Sequence, residues 1–172
     1  SQDLDRSPYD IMNEEAERAE AGCNGLIFLP YLAGARSPIW DPRASGVYFG
    51  IRLEHEKCHF IRAILEGVAY SMRHRIEAMK SDLGVLIEEM RMVGGGARSS
   101  FWRQIIADVT GETVVLTRGQ EHECLGAAIL AGVGARMYRN IDDAIDIAVS
   151  IIDRNEPNVE VNEKYDAYYQ IY

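Results

Sequence analysis

Apolar residues fall along this chain in two rhythms. Short apolar runs bounded by glycine or proline alternate with longer stretches in which apolar residues recur every three or four positions. Ser7-Pro8, an N-cap residue followed by proline at the first helical position, predicts a polar helix to about Ala19, ending before Gly22. Leu26-Ile27-Phe28-Leu29, between Gly25 and Pro30, predicts a buried strand. Residues 30–45 hold three of the five prolines and predict an ordered loop, after which Val47-Tyr48-Phe49, between Gly46 and Gly50, predicts a second short strand. The longest periodic stretch predicts a helix from about Glu56 to Lys80, with Ile61, Ile64, Leu65, Val68, Ala69, Met72, Ile76 and Met79 on one face.

Beyond the stop at Gly84, Leu86 to Val93 predicts a strand, which Gly94-Gly95-Gly96 breaks. A helix from about Ser100 to Val109, ending at Gly111, a β-branched strand from Thr113 to Leu116 and a helix from about Glu123 to Met137 follow. Residues 141–149 predict a further short helix, and Tyr165, Tyr168, Tyr169 and Tyr172 sit at helical spacing in the tail from Asn162. Strands alternating with helices from 87 onward predict an α/β fold, with neither an internal repeat nor a low-complexity linker.

Composition sharpens this picture mainly by exclusion. At 172 residues, 47% hydrophobic and 26% charged, the chain has the balance of a globular domain, which excludes a disordered tail, a fibre and a disulfide-stapled miniprotein. Eighteen basic against 27 acidic residues give a net charge of −9. Such a chain repels phosphate backbones, so no nucleic-acid partner is expected. The uncharged stretches 22–35 and 124–135 are too short to span a bilayer and are broken by glycine, so no membrane partner is expected either. No basic-then-apolar signal peptide opens the chain, and Cys23, Cys58 and Cys124 are odd in number and lack metal spacing. A reduced, cytoplasmic protein is the expectation.

Four constellations could carry chemistry. His55-Glu56-Lys57-Cys58-His59 matches the zinc-protease pattern H-E-x-x-H. Glu77, the third ligand that might be sought, lies about 27 Å along the helix from His59 at 1.5 Å per residue, and the pattern opens the helix instead of lying within it. The protease reading is therefore rejected, and no metal ligand is expected. Val93-Gly94-Gly95-Gly96-Ala97-Arg98-Ser99-Ser100 is a strand–turn–helix crossing, where bare glycine backbone and a helix start suit polar or anionic ligand atoms. It is neither a dinucleotide fingerprint nor a Walker A loop, and a plain turn capped by Ser99 and Ser100 has the same pattern. The small residues of Leu125-Gly126-Ala127-Ala128-Ile129-Leu130-Ala131-Gly132 read as close packing by default. Asp41, before Pro42, reads as a turn former.

Taken in order, these segments resemble the FGGY family of carbohydrate kinases, most closely its xylulokinase-like branch. The resemblance runs from about Gly25 to the end of the chain. It rests on Pro30 through Pro42, on Gly46-x-Tyr48-x-Gly50-Ile51 with His59-Phe60 and Ala63-Ile64-Leu65-Glu66, on Gly94 through Asp108, and on Gly126-Ala127-Ala128 with Leu130-Ala131. It implies an actin-like, ribonuclease-H-like ATPase domain, incomplete here, with a mixed sheet flanked by helices. Residues 1–172 would be the C-terminal domain of a kinase that transfers the ATP γ-phosphoryl group to a sugar hydroxyl, xylulose being favoured, with Mg2+ as cofactor. Gly94, Gly95, Gly96, Ala97 and Ser100 would line the adenosine pocket, and the 38–42 loop would lie towards the interdomain cleft. No catalytic residue is expected in this chain, because the family's aspartate base and sugar contacts precede it, so the chain by itself would be inactive. The competing reading is a non-catalytic nucleotide-binding or assembly module. An edge bared by missing strands would pair with a second copy, as a homodimer, or with the missing N-terminal domain.

Overall fold

The computed structural model describes residues 7–119 and 121–172. Ser7 caps α1 (Pro8–Glu17) by accepting the Tyr9 N–H at 3.3 Å. A turn through Gly22 and Asn24 leads into β1 (Ile27–Leu29), which pairs antiparallel with β2 (Val47–Phe49). Between those strands the loop is ordered by backbone hydrogen bonds exchanged between Ala35 and Asp41. The Asp41 carboxylate accepts the Arg43 N–H at 2.9 Å, the turn-forming role expected of it.

Helix α2 (Lys57–Leu83) is the spine of the molecule and packs against α1, β1 and α3 (Ser100–Thr110). Of the predicted stripe only Ala69 and Ile76 are buried and Met79 is exposed; the face that α2 buries adds Ala63, Glu66, Gly67 and Tyr70, because its neighbours α1, β1 and α3 lie on that side, and Gly84, in the left-handed conformation at φ 62, terminates the helix. Gly67 marks where α2 crosses β1, since a Cβ there would overlap the Phe28 carbonyl oxygen.

A second sheet has the order β3 (Met90–Met92), β4 (Val114–Thr117), β5 (Ile151–Asn155). Strands β3 and β4 run parallel and β5 is antiparallel to β4, so the sheet is mixed. Helix α3 connects β3 to β4; α4 (His122–Gly134) and α5 (Ile141–Ala148) connect β4 to β5, and α6 (Val159–Tyr169) packs on α3. Among the described residues the outer edge of β3 pairs with no strand.

The main core joins α2, α3, β4 and α6 through Ala69, Tyr70, Ile105, Ile106, Val109, Val114 and Tyr165. A satellite core of Cys23, Leu26, Phe28 and Ala63 lies under the β1–β2 hairpin. At the seam between them a carboxylate is buried. Glu66, 1% exposed, accepts from Arg62 Nε (2.7 Å), Tyr165 OH (2.8 Å) and the Gly22 N–H (3.0 Å). Arg62 also donates to the Ala19 carbonyl and the Tyr165 hydroxyl, so one ion pair ties the turn after α1, α2 and α6 together.

Three elements differ from the sequence reading. Strand β3 covers only Met90–Met92 of the predicted 86–93, because pairing with β4 begins at Val114 and leaves residues 86–89 without a partner strand; Leu86 stays 93% exposed. Helix α4 ends at Gly134 instead of Met137, where Arg136 turns left-handed at φ 60 and Met137 N–H closes back on Gly132. Strand β5 was not predicted at all: Ile151-Ile152-Asp153-Arg154-Asn155 has no apolar alternation, and its pairing with β4 alone makes it a strand. No described helix is long and apolar enough to cross a membrane.

Candidate functional site

Strands β3 and β4, being parallel, deliver their C-terminal ends to the same edge of the sheet. The glycine-rich turn leaves β3 there and the loop into α4 leaves β4 beside it, the position at which open α/β sheets receive ligands. The turn is a 3-10 helix over Gly95–Arg98, closed by Ala97 N–H on the Gly94 carbonyl and Ser99 N–H on the Gly96 carbonyl, both 3.2 Å. Ser99 then caps α3, its Oγ accepting the Trp102 N–H at 3.1 Å.

The three glycines have different physical reasons to be glycine. Gly94 sits at φ 84, ψ −173, a backbone conformation that side chains rarely adopt. Gly96 has an ordinary φ, but a Cβ there would overlap the Trp102 ring, so its smallness serves packing within the chain. Gly95 has neither constraint: its φ is ordinary and a Cβ would meet nothing within 4 Å. Gly94, Gly95 and Ser100 are exposed, whereas Ala97 is 1% exposed and anchors the turn from below.

That anchor is held by Arg103, which sequence reasoning overlooked. Arg103 is 2% exposed and lies one turn into α3; it donates to the Ala97 carbonyl, to Asp153 Oδ2 and, at 2.8 Å, to Asn155 Oδ1. Asn155 is fixed in turn by donating to Gln104 Oε1 at 3.0 Å, and Gln104 donates to Asp108 and to the Glu156 carbonyl, both 2.8 Å. Burial pushes the Asp108 carboxyl above its ordinary range, against the opposing hydrogen bonds from the Asn158 N–H and Gln104. The sequence does hold one signal: Arg103 falls three residues before Ile106 and four before Ala107, on the face of α3 that becomes fully buried.

The other candidates are placed elsewhere. His55 precedes α2 and its Nδ1 accepts the Arg52 N–H at 2.9 Å; His59 Nδ1 accepts the Glu56 N–H at 3.0 Å and helps to cap α2. Glu77 takes hydrogen bonds from Arg73 and Tyr169 instead. On α4, Gly126 faces open space and Leu130 is 61% exposed, while Ile129 is buried and Gly132 packs closely against Tyr138.

Comparison with known proteins gives the arrangement a context. Residues 2–135 match the profile of the FGGY family of carbohydrate kinases, C-terminal domain. A gluconokinase of Bacillus licheniformis is 38% identical over 158 residues, covering 92% of this chain and 31% of that protein. A xylulose kinase of Staphylococcus epidermidis is 36% identical over 163 residues, covering 95% and 32%. The crystal structure of ligand-bound xylulose kinase from Lactobacillus acidophilus superposes with a TM-score of 0.89 at 27% identity, over 98% of this chain and 34% of that one. The chain thus spans about a third of the length of these relatives, and it shares with them the actin-like ATPase fold. With the profile covering most of its length, the chain belongs to the FGGY family of carbohydrate kinases, to the family's C-terminal domain.

Proposed function

We propose that residues 1–172 form the nucleotide-holding C-terminal domain of an ATP-dependent carbohydrate kinase, with Gly94, Gly95, Gly96, Ala97 and Ser100 lining the adenosine pocket. The observation that carries this reading is Gly95. It is the one glycine of the turn whose missing side chain nothing in the chain uses, and its bare backbone opens to solvent at the C-terminal ends of two parallel strands. Ser100 Oγ, exposed at the start of α3, adds a polar contact beside it.

The reaction is transfer of the γ-phosphoryl group of ATP to a sugar hydroxyl. Charge spreads over the transferred oxygens and is stabilised by donors around the phosphates, while a carboxylate takes the hydroxyl proton. That carboxylate and the sugar contacts belong to an N-terminal domain outside these residues. Magnesium would enter with the ATP, held mainly by its phosphates and neutralising their charge. Xylulose and gluconate, named for relatives at 36% and 38% identity, are the two substrates to test first. Free cysteines at 23, 58 and 124 suit a reducing cytoplasm.

Calorimetric titration of ADP and ATP into the chain, beside a Gly95→Val variant, tests the pocket. The expected result is weak binding that falls about tenfold or more in the variant, the scale of about 1.4 kcal/mol. Equal affinities would remove the pocket from this turn.

A further inference from the structure

The geometry points to Arg103 as the residue that positions the glycine-rich turn, acting as a clamp between that turn and β5; this inference rests on the nucleotide reading above. Three observations carry it. The Arg103 guanidinium is 2% exposed, and a buried guanidinium has to direct its donors at specific acceptors. Its acceptors belong to two separate parts of the molecule: the Ala97 carbonyl inside the turn, and the Asp153 and Asn155 side chains on β5. Asn155 in turn is braced by Gln104, one position further along α3. A planar fork is needed to reach all three, which a lysine ammonium, a point charge on a flexible stem, does not reproduce. The β5 half of the clamp lies at 153 and 155, beyond the residues 2–135 matched by the family profile. The turn's shape therefore depends on residues outside that match. Arg103 touches no ligand in this arrangement; it acts through the Ala97 carbonyl, as a positioning residue.

The test is residue-resolved amide hydrogen exchange on the 172-residue chain, read at Ala97 and Ser99, whose N–H groups close the turn. Arg103→Lys and Asp153→Asn are expected to accelerate exchange at both amides by about tenfold, the size of one charge-assisted hydrogen bond, with α2 and α6 unchanged. Asp153→Glu, at a side chain 49% exposed and able to adjust, is expected to keep the wild-type protection. Asp153→Asn keeps the question open to measurement should Arg103→Lys not fold. ADP affinity should fall in parallel with the loss of protection. Unchanged exchange at Ala97 and Ser99 in Asp153→Asn would overturn the clamp, as would a uniform rise across α2, α3 and α6, the mark of a merely structural residue. Failure of the wild-type chain to bind ADP would instead overturn the nucleotide reading, and the exchange data would still decide the clamp.

Discussion

Arg62 and Glu66 lie one turn apart on α2 and form an ion pair of 2.7 Å, their side chains 11% and 2% exposed. Around it close the Gly22 N–H, the Ala19 carbonyl and the Tyr165 hydroxyl, so the pair joins three elements and not only one helix. Burial opposes the Arg62 charge, yet Tyr165 and Glu66 beside it hold its pKa above the ordinary value. Removing one member of such a pair strands the other charge in the interior. Glu66→Ala is therefore expected to lower stability by about 3–5 kcal/mol, measured as a shifted urea midpoint. A loss below about 1 kcal/mol, typical of an exposed pair, would show that water reaches this site.

The tyrosines give the chain an alkaline limit. Burial first, and then the hydrogen bond to Glu77, pushes Tyr169 from 10.0 up to about 12. Burial likewise raises Tyr70, Tyr165 and Tyr172. For these groups the folded state favours the protonated form. The contribution of Tyr169 is complete below pH 10 and is lost as pH rises through about 12; that of the other three, raised further, persists to higher pH. Titration with tyrosinate absorbance should show phenol ionisation coinciding with loss of helical circular dichroism above pH 10. Smooth ionisation near pH 10 with the fold intact would contradict it.

Two adjacent glycines should respond differently to substitution. Gly96→Val drives a side chain into the Trp102 ring and is expected to cost at least about 1–3 kcal/mol, as overpacking does. Gly95→Ala, in open space, should stay within about 0.5 kcal/mol of the wild type. Thermal melts of the two variants decide this. A melting temperature equally depressed in both would mean that Gly95 has a neighbour after all.

His59 is expected to act as a helix cap and not as a ligand. Its Nδ1 takes the Glu56 N–H, so His59→Ala should cost about 1 kcal/mol, the usual worth of an N-terminal cap. Added zinc should leave the melting temperature of the wild type unchanged. A rise that His59→Ala removes would reinstate the metal reading.

Most of the architecture is legible in local chemistry, and the exceptions have one cause. Helix α2 is written in its three- and four-residue steps and its terminal Gly84, and α3 in Ser99 and Gly111, so caps and periodicity place them closely. Strands β3 and β5 depend instead on their partner: β3 begins only where β4 comes alongside, at Met90 opposite Val114, and β5 exists only through its pairing with β4. The site divides in the same way. The glycine turn stands out as a string of small residues, but the reason for each glycine does not, because Gly96 answers to Trp102 and Gly95 to nothing in the chain. Arg103 escaped notice because two of its three acceptors lie about fifty residues away on the strand that the sequence conceals.

The closing contacts of this molecule also come late in the chain. Tyr165 completes the enclosure of Glu66, and Asp153 with Asn155 completes that of Arg103. On a ribosome, the two buried charges are made long before the groups that seal them. Loss of residues 151–172 would therefore unseal two charges at once, one on α2 and one on α3, and release the carbonyl that shapes the glycine turn.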